Sequence, residues 1–445
     1  MRSHDGPSPA RSLSRRGVLG LGAQALAGAA LAGCAKPARH NGELTVMTHA
    51  NEFDEAARKE AERVLGVRVR RLDPDLTRLT AMLAEGGPPD VIRGSGTIDA
   101  PFLAASRLAL DLDPHLTASK AIDAADLDPV GDAWRFDGVR QGAGPRYGLV
   151  KDYSQDGMFW CDASLFDRAG VALPDPSRPL GHDAWLDLAR DLTVRSGGRT
   201  TTYGLDVSGL GGFLHLMGMT ASAGGRIFGD DLATVDFSAP EPREVLRWYL
   251  AYIRARTGFS PVDLNPDGWP WPAFQARRMA MVMAGYWLGA LIADEPALPA
   301  DARLMPAPSF GGPRVSPCYA AAGLWIPRTC PIPETAWAFF EWYFAGAPAR
   351  DRADRGFGVP PLTSLRSRLP AAEPFQTRAL EVQRAELPHL TVLSFTPYAR
   401  EEALDAVINR VVPEAFARDA SPGALAELLT TEINEVLARG RERVG

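Results

Sequence analysis

ELTVMTHANEFDEAARKEAERVLGVRVRRLDPDLTRLTAMLAEGGPPDVI, residues 43–92, is the stretch on which the fold turns. Glu43 to His49 reads as a short apolar strand, and Glu52 to Leu65 as an amphipathic helix closed by Gly66. Val67 to Leu72 alternates apolar and basic residues, as a strand with one buried face does. Leu76 to Glu85 is a second helix, ended by Gly86 and Gly87, and Pro89 to Ile92 opens a third strand. Strands separated by single helices give βαβαβ and a parallel sheet, because each return must cross one face. In such sheets ligands sit outside the carboxyl ends of the strands.

Beyond this unit, apolar residues recur three and four apart in His182–Leu192, Glu241–Thr257 and Glu334–Phe344, predicting helices. Ala399–Ala417 and Gly423–Ala438 read as two terminal helices parted by a capping turn at Asp419–Pro422. There is no internal repeat or low-complexity tract. At 445 residues, 46% hydrophobic and 23% charged, the chain has material for one large or two medium domains. A net charge of -6 with no basic run argues against nucleic acid as a partner.

Ser14, Arg15 and Arg16 precede an uncharged run from Gly17 to Ala32, the charge-then-apolar pattern of an export signal. That run is 16 residues long, short of the roughly 20 that span a bilayer as a helix. Leu31-Ala32-Gly33-Cys34 resembles a bacterial lipobox, which implies cleavage before Cys34 and lipidation of its sulfur. The Arg pair resembles the twin-arginine signal, although Val18 and Gly20 stand where that signal carries Phe and Lys. Residues 1–33 are therefore expected to be a removed signal peptide, and 34–42 a lipid-anchored linker. A second uncharged stretch, Met279 to Ala293, is expected to be buried core. Cys161, Cys318 and Cys330 form no C-x-x-C pair, and no histidines lie near them, so neither a zinc site nor a redox motif is expected. Outside the cytoplasm Cys318 and Cys330 could pair.

From Tyr147 onward the chain resembles the extracellular solute-binding proteins of ABC importers, in the maltose- and oligosaccharide-binding class. The likeness is carried by Tyr147-Gly148-Leu149, Met158-Phe159-Trp160, Leu165-Phe166, Ala169-Gly170-Val171, Pro174 and Trp185. Further on it continues through Phe274, Ala280-Met281, Gly285-Tyr286-Trp287, Ile326-Pro327, Glu334 and Ala336-Trp337 with Phe339. Pro89-Asp90-Val91 and Gly358-Val359-Pro360 extend it toward both ends. The resemblance implies a periplasmic-binding-protein-like α/β fold: two discontinuous lobes joined by hinge strands, with a ligand cleft between. It places lobe 1 at residues 43–150 and 303–345, and lobe 2 at 151–302 and 346–445. Departures from the family pattern bear on the ligand. Ala320-Ala321-Ala322 replaces Gly-Gly-Trp, Cys161 replaces Asn, and Arg277-Arg278 replaces Gly-Lys.

Sugars show hydroxyls at their edges and C–H groups on their faces, so a sugar cleft needs polar side chains around aromatic rings. Candidates follow the strands: Asn51 and Glu52 after the first, and Ser95 and Thr97 after the third, in a Gly94-Ser95-Gly96 turn where backbone could approach a ligand. Asp152 and Gln155 follow the lobe crossing, Trp287 sits in the Gly-x-Trp turn, and Arg355 precedes a Gly-Phe-Gly turn. Each has a plainer reading. Glu52, Ser95 and Thr97 could serve helix starts, Asp152 and Gln155 solvated turns, Arg355 the surface, and Trp287 the core. Trp269 and Trp271, interleaved with Pro270 and Pro272, form either a cleft edge or a surface brace.

The seven histidines form no H-E-x-x-H or H-x-H pair, and neither a G-x-S-x-G elbow nor a phosphate loop is present. No cofactor or metal is expected. The expected function is a monomeric lipoprotein that captures a carbohydrate and delivers it to ABC transporter permease subunits, anchored by lipid to the outer face of the membrane. The alternatives are a binding lipoprotein for a polyamine or phosphorylated polyol, and an exported glycoside hydrolase.

Overall fold

The computed structural model describes residues 42–209 and 212–444. The expected signal peptide, Cys34 and all but the last residue of the linker lie outside the described residues.

The opening stretch folds as its pattern predicts. β1 (Glu43–Met47) pairs in parallel with β2 (Arg68–Leu72) and with β3 (Val91–Ser95). Two helices make the crossovers, α1 (Glu55–Leu65) and α2 (Leu76–Glu85). Each starts at an aspartate, Asp54 or Asp75, whose carboxylate accepts an otherwise orphaned amide, and each stops at a left-handed glycine, Gly66 or Gly86. After β3 the chain enters α3 (Gly96–Ala105). β4 (Leu149–Val150) then closes one edge of the sheet.

The chain next crosses into a second, antiparallel sheet around β5 (Phe159–Asp162), followed by α4 (His182–Leu192), α5 (Gly212–Ser222) and α6 (Pro240–Ala255). β6 (Met281–Met283), α7 (Leu288–Ala293) and β7 (Ala302–Met305) complete this part, with β5 central between β6 and β7. The uncharged stretch from Met279 is thus a buried strand and a short helix. Among the described residues no helix is long and apolar enough to cross a membrane.

The return runs through β8 (Ser316–Cys318) to β9 (Ala322–Trp325), which lies antiparallel between β3 and β4, so the first sheet has the order β2-β1-β3-β9-β4. α8 (Pro333–Ala345), α9 (Ala347–Arg355) and α10 (Pro374–Glu386) follow. β10 (Leu390–Val392) pairs in parallel with β8, and α11 (Glu401–Ala417) and α12 (Pro422–Val444) end the chain. One core gathers Phe53, Leu44, Val46 and the ring-rich face of α8 beneath the first sheet. Another packs Trp185, Trp248 and Tyr252 against α5, α11 and α12.

Strand pairing moves two of the expected lobe boundaries. Residue 303 lies inside β7, whose backbone pairs with β5, so the return crossing starts beyond Met305. Residues 346–368 stay with the first lobe: Thr363 and Ser364 donate to Asp126, Arg366 pairs with Asp128, and Leu362 joins the first core. Sheet membership depends on partners distant in sequence, which local pattern does not encode. Cys161, Cys318 and Cys330 are free thiols. Cys318 lies buried in β8, while the Cys330 thiol donates to Asp90 Oδ1 at 3.5 Å.

Candidate functional site

The carboxyl ends of β1, β3 and β4 and the amino end of β9 share one edge of the first sheet, and the side chains there form a chain of alternating charge. Glu52, on the turn after β1, accepts from Thr48 Oγ1 at 2.7 Å. It pairs with Lys151 Nζ and Arg93 Nε, each at 3.2 Å. Lys151 also holds Asp152, so a single buried ammonium bridges two carboxylates from different loops. Burial alone would push the Glu52 carboxyl up, but Lys151 and Arg93 outweigh it and hold it well below the usual range. The buried ammonium of Lys151 is held above its ordinary value by Asp152 and Glu52, against desolvation.

Past Arg93 the chain of charge continues to Asp99, which accepts the Ser95 amide at 2.7 Å, and to Arg400 at the start of α11, 3.5 Å from Asp99. This Asp99–Arg400 pair joins the two lobes. Burial raises the Asp99 carboxyl despite Arg400.

Rings stand at the opposite end. Lys151 Nζ lies 5.4 Å from the centre of the Phe357 ring, and Phe357 lies 6.2 Å from Trp287 at 47°. Asp156 accepts the backbone amides of Tyr319 and Ala320, and the nearby Trp287 indole also favours its charged form. Burial pushes the Asp156 carboxyl up to about 7, with those donors pulling it back only in part. Asp156 also donates its own amide to Pro317 O, so it ties two crossing strands to the aromatic wall.

The structure therefore brings Glu52 and Asp152 together through Lys151, and Trp287 joins them through Phe357. Asn51 and Arg355 stand at the rim of a cavity of about 410 Å³ that reaches Glu52, Lys151 and Phe357. Arg355 is exposed and pairs with Asp294 at 3.3 Å. Gln155 is fully buried in the crossing, where it accepts from Gln383, and its own amide nitrogen has no partner. Ser95 and Thr97 lie toward Asp99. The Thr97 hydroxyl is buried without a partner, while its carbonyl accepts from Gln141 at 2.9 Å.

The expected open turn at Gly94-Ser95-Gly96 is instead the end of β3 and the start of α3. These glycines serve packing. A Cβ on Gly96 would lie 2.5 Å from the Trp134 ring, and Gly148 meets the same ring at 2.3 Å. Trp134 is fully buried and donates to Ala321 O at 3.1 Å, so Gly96 at the start of α3 and Gly148 just before β4 make room for an indole from elsewhere in the chain.

Arg93, Lys151, Asp99, Asp156, Phe357 and Arg400 were not legible as site residues. Lys151-Asp152 just after the crossing strand was the available signal, because adjacent opposite charges beside an apolar run are costly to bury unless paired. Among the described residues no group of three or more His, Cys, Asp or Glu is placed to hold a metal ion.

Two α/β lobes joined by crossing strands, with polar side chains at the facing sheet edge, define a periplasmic-binding-protein-like fold that holds a solute between its lobes. The chain matches the family model for bacterial extracellular solute-binding proteins over residues 73–345, more than half its length, and belongs to that family. No curated protein matches it. Among solved structures it is similar to an ABC substrate-binding protein from Listeria monocytogenes in complex with cycloalternan. That match has 20% identity, covers 89% of this chain and 99% of that one, and has a TM-score of 0.74. A solute-binding protein from Thermotoga lettingae bound with α-D-tagatose matches at 19% identity over the same shares, with a TM-score of 0.73. The maltose/maltodextrin-binding domain MalE from Bdellovibrio bacteriovorus bound to maltotriose matches at 15% identity over 89% and 99%, with a TM-score of 0.68. At these identities the likeness is one of fold.

Proposed function

We propose that this protein is a lipid-anchored extracytoplasmic receptor that captures a sugar or oligosaccharide between its lobes and delivers it to the permease of an ABC transporter. The observation that carries this reading is the sheet edge where Glu52, Lys151, Asp152 and Arg93 stand beside the Phe357–Trp287 wall. Carboxylates and cations held by one another are pre-oriented donors and acceptors for hydroxyls, and the rings suit the C–H face of a sugar. Sugars bound in fold relatives support the same assignment. The arrangement binds without making or breaking bonds. A solute touching both lobes favours the closed form, and a permease that prefers that form is thereby informed of loading.

Lipidation of Cys34 supplies the anchor in this reading, and the folded part works as a monomer. Thermal melting of the mature protein with mono-, di- and trisaccharides tests the assignment, because a ligand of the native state raises the midpoint. A shift with at least one carbohydrate is expected. Shifts with polyamines alone would replace the reading. Cys34→Ser is expected to release the protein from membranes, and its continued membrane association would refute the anchor.

A further inference from the structure

Of the ten tryptophans, Trp269 alone is exposed, with 40% of its surface open to water. A single exposed apolar residue needs no explanation, but this one has company. The ring of Trp271, half-buried, lies 6.4 Å from it at 37°, and Trp271 stacks in turn on the buried Phe274 at 6.2 Å and 29°. Leu264, in the loop that leads to them, is 73% exposed. The Trp-Pro-Trp-Pro segment is thus brace and edge at once: Trp271 ties it to the core through Phe274, and Trp269 is held toward solvent.

The segment is pinned before any ligand arrives. Gly268 takes the left-handed region at φ 77, its amide donates to Asn265 O at 3.1 Å, and the Asp267 amide donates to Asn265 Oδ1 at 3.0 Å. Pro270 and Pro272 fix their own φ. A ring held this way loses little freedom when something stacks on it.

Packing places the segment at the cleft end of the second lobe. Pro270 is buried, and a Cβ on Gly209 would meet its ring at 3.3 Å and lie 4.0 Å from Met283 O, at the end of β6. Two residues on, about 7 Å along an extended chain, Gly285 leaves no room for a Cβ beside Ser154 and Gln155 of the lobe crossing. Two more reach Trp287, which faces Phe357 at 6.2 Å. Trp269 and Trp287 therefore stand at the same end of β6, with the turn from Ala284 to Trp287 between them. One sugar ring has one C–H face for each aromatic it covers, so two ring surfaces set apart along one cleft edge suit a chain of sugars.

We propose that Trp269, braced by Trp271, is an outer stacking subsite, and that the solute is a linear oligosaccharide with one unit at the Trp287–Phe357 wall and a later one on the Trp269 indole. This rests on the carbohydrate reading above and narrows it from any sugar to a chain.

Calorimetric titration of the mature protein with glucose, mannose and the di-, tri- and tetrasaccharides of the malto-, cello- and manno-oligosaccharide series tests it. In at least one series affinity is expected to rise with length. Trp269→Ala is expected to cut the affinity of the longest member by about three- to tenfold, to leave the shortest binder unchanged, and to keep the melting point without ligand. Trp269→Phe, which keeps a ring, is expected to retain most of the affinity for the long member. Trp287→Ala, by contrast, should weaken every length alike. Affinity that does not rise with length, or a length advantage untouched in Trp269→Ala, overturns the outer subsite and leaves the carbohydrate reading standing. Failure of every sugar to bind removes both.

Discussion

Two histidines buried in the second lobe set an acid limit on its stability. His182 is stacked on Phe310 at 3.9 Å, and His215 lies on α5 with neither ring nitrogen partnered. Burial lowers both to about 3, from an ordinary 6.5, and for His215 the neighbouring His182 adds to the effect. A folded value below the unfolded one means the stability is present above pH 6.5 and is lost as pH falls toward 3, because only the unfolded chain takes the proton there. At pH 5 the unfolded imidazole is roughly 97% charged and the folded one about 1%, so each histidine costs about 2 kcal/mol relative to pH 7.

His215→Leu removes one such term. It also removes two unpartnered buried nitrogens, so at pH 7 the variant should match the natural protein or exceed it by about 1 kcal/mol. Urea unfolding followed by the fluorescence of Trp185 and Trp248 would be measured at pH 7, 6 and 5. Between pH 7 and 5 the variant is expected to gain about 2 kcal/mol over the natural chain. The buried carboxyls of Asp156 and Asp206, raised to about 7 and about 6, are common to both proteins and cancel in the difference. Parallel pH profiles for the two proteins would refute the reasoning.

Glu52→Gln leaves Lys151 without one carboxylate and Arg93 without its hydrogen-bonded partner, and is expected to destabilise by about 3 kcal/mol, read from the urea midpoint at constant slope. Gly96→Ala drives a methyl into the Trp134 ring, and a loss of about 1 to 3 kcal/mol should accompany a changed near-ultraviolet signal from that indole. Trp287→Ala should weaken carbohydrate affinity by about tenfold in calorimetry, consistent with removal of a stacking ring; unchanged affinity would show that the ring serves packing alone.

The βαβαβ unit was legible because its information is local. Asp54 and Asp75 cap, Gly66 and Gly86 stop, and the alternation in β2 tells one face from the other. The helices at His182 and Glu241 showed for the same reason, since an amphipathic period needs no knowledge of its partner. Site residues were legible only where they follow a strand. Glu52 and Asp152 were found, while Arg93, inside β3, and Asp99, inside α3, were not.

Tertiary structure alone decided what those residues do. Gly96 reads in sequence as part of a turn where backbone could meet a ligand and is in fact the space for Trp134, a residue 38 positions away. Residue 303 reads as a lobe boundary and is in fact a rung of the β5–β7 pairing. Local pattern reports the preferences of a few neighbouring residues, whereas charge pairing, ring stacking and strand neighbours arise between segments that share nothing until the chain has closed on itself.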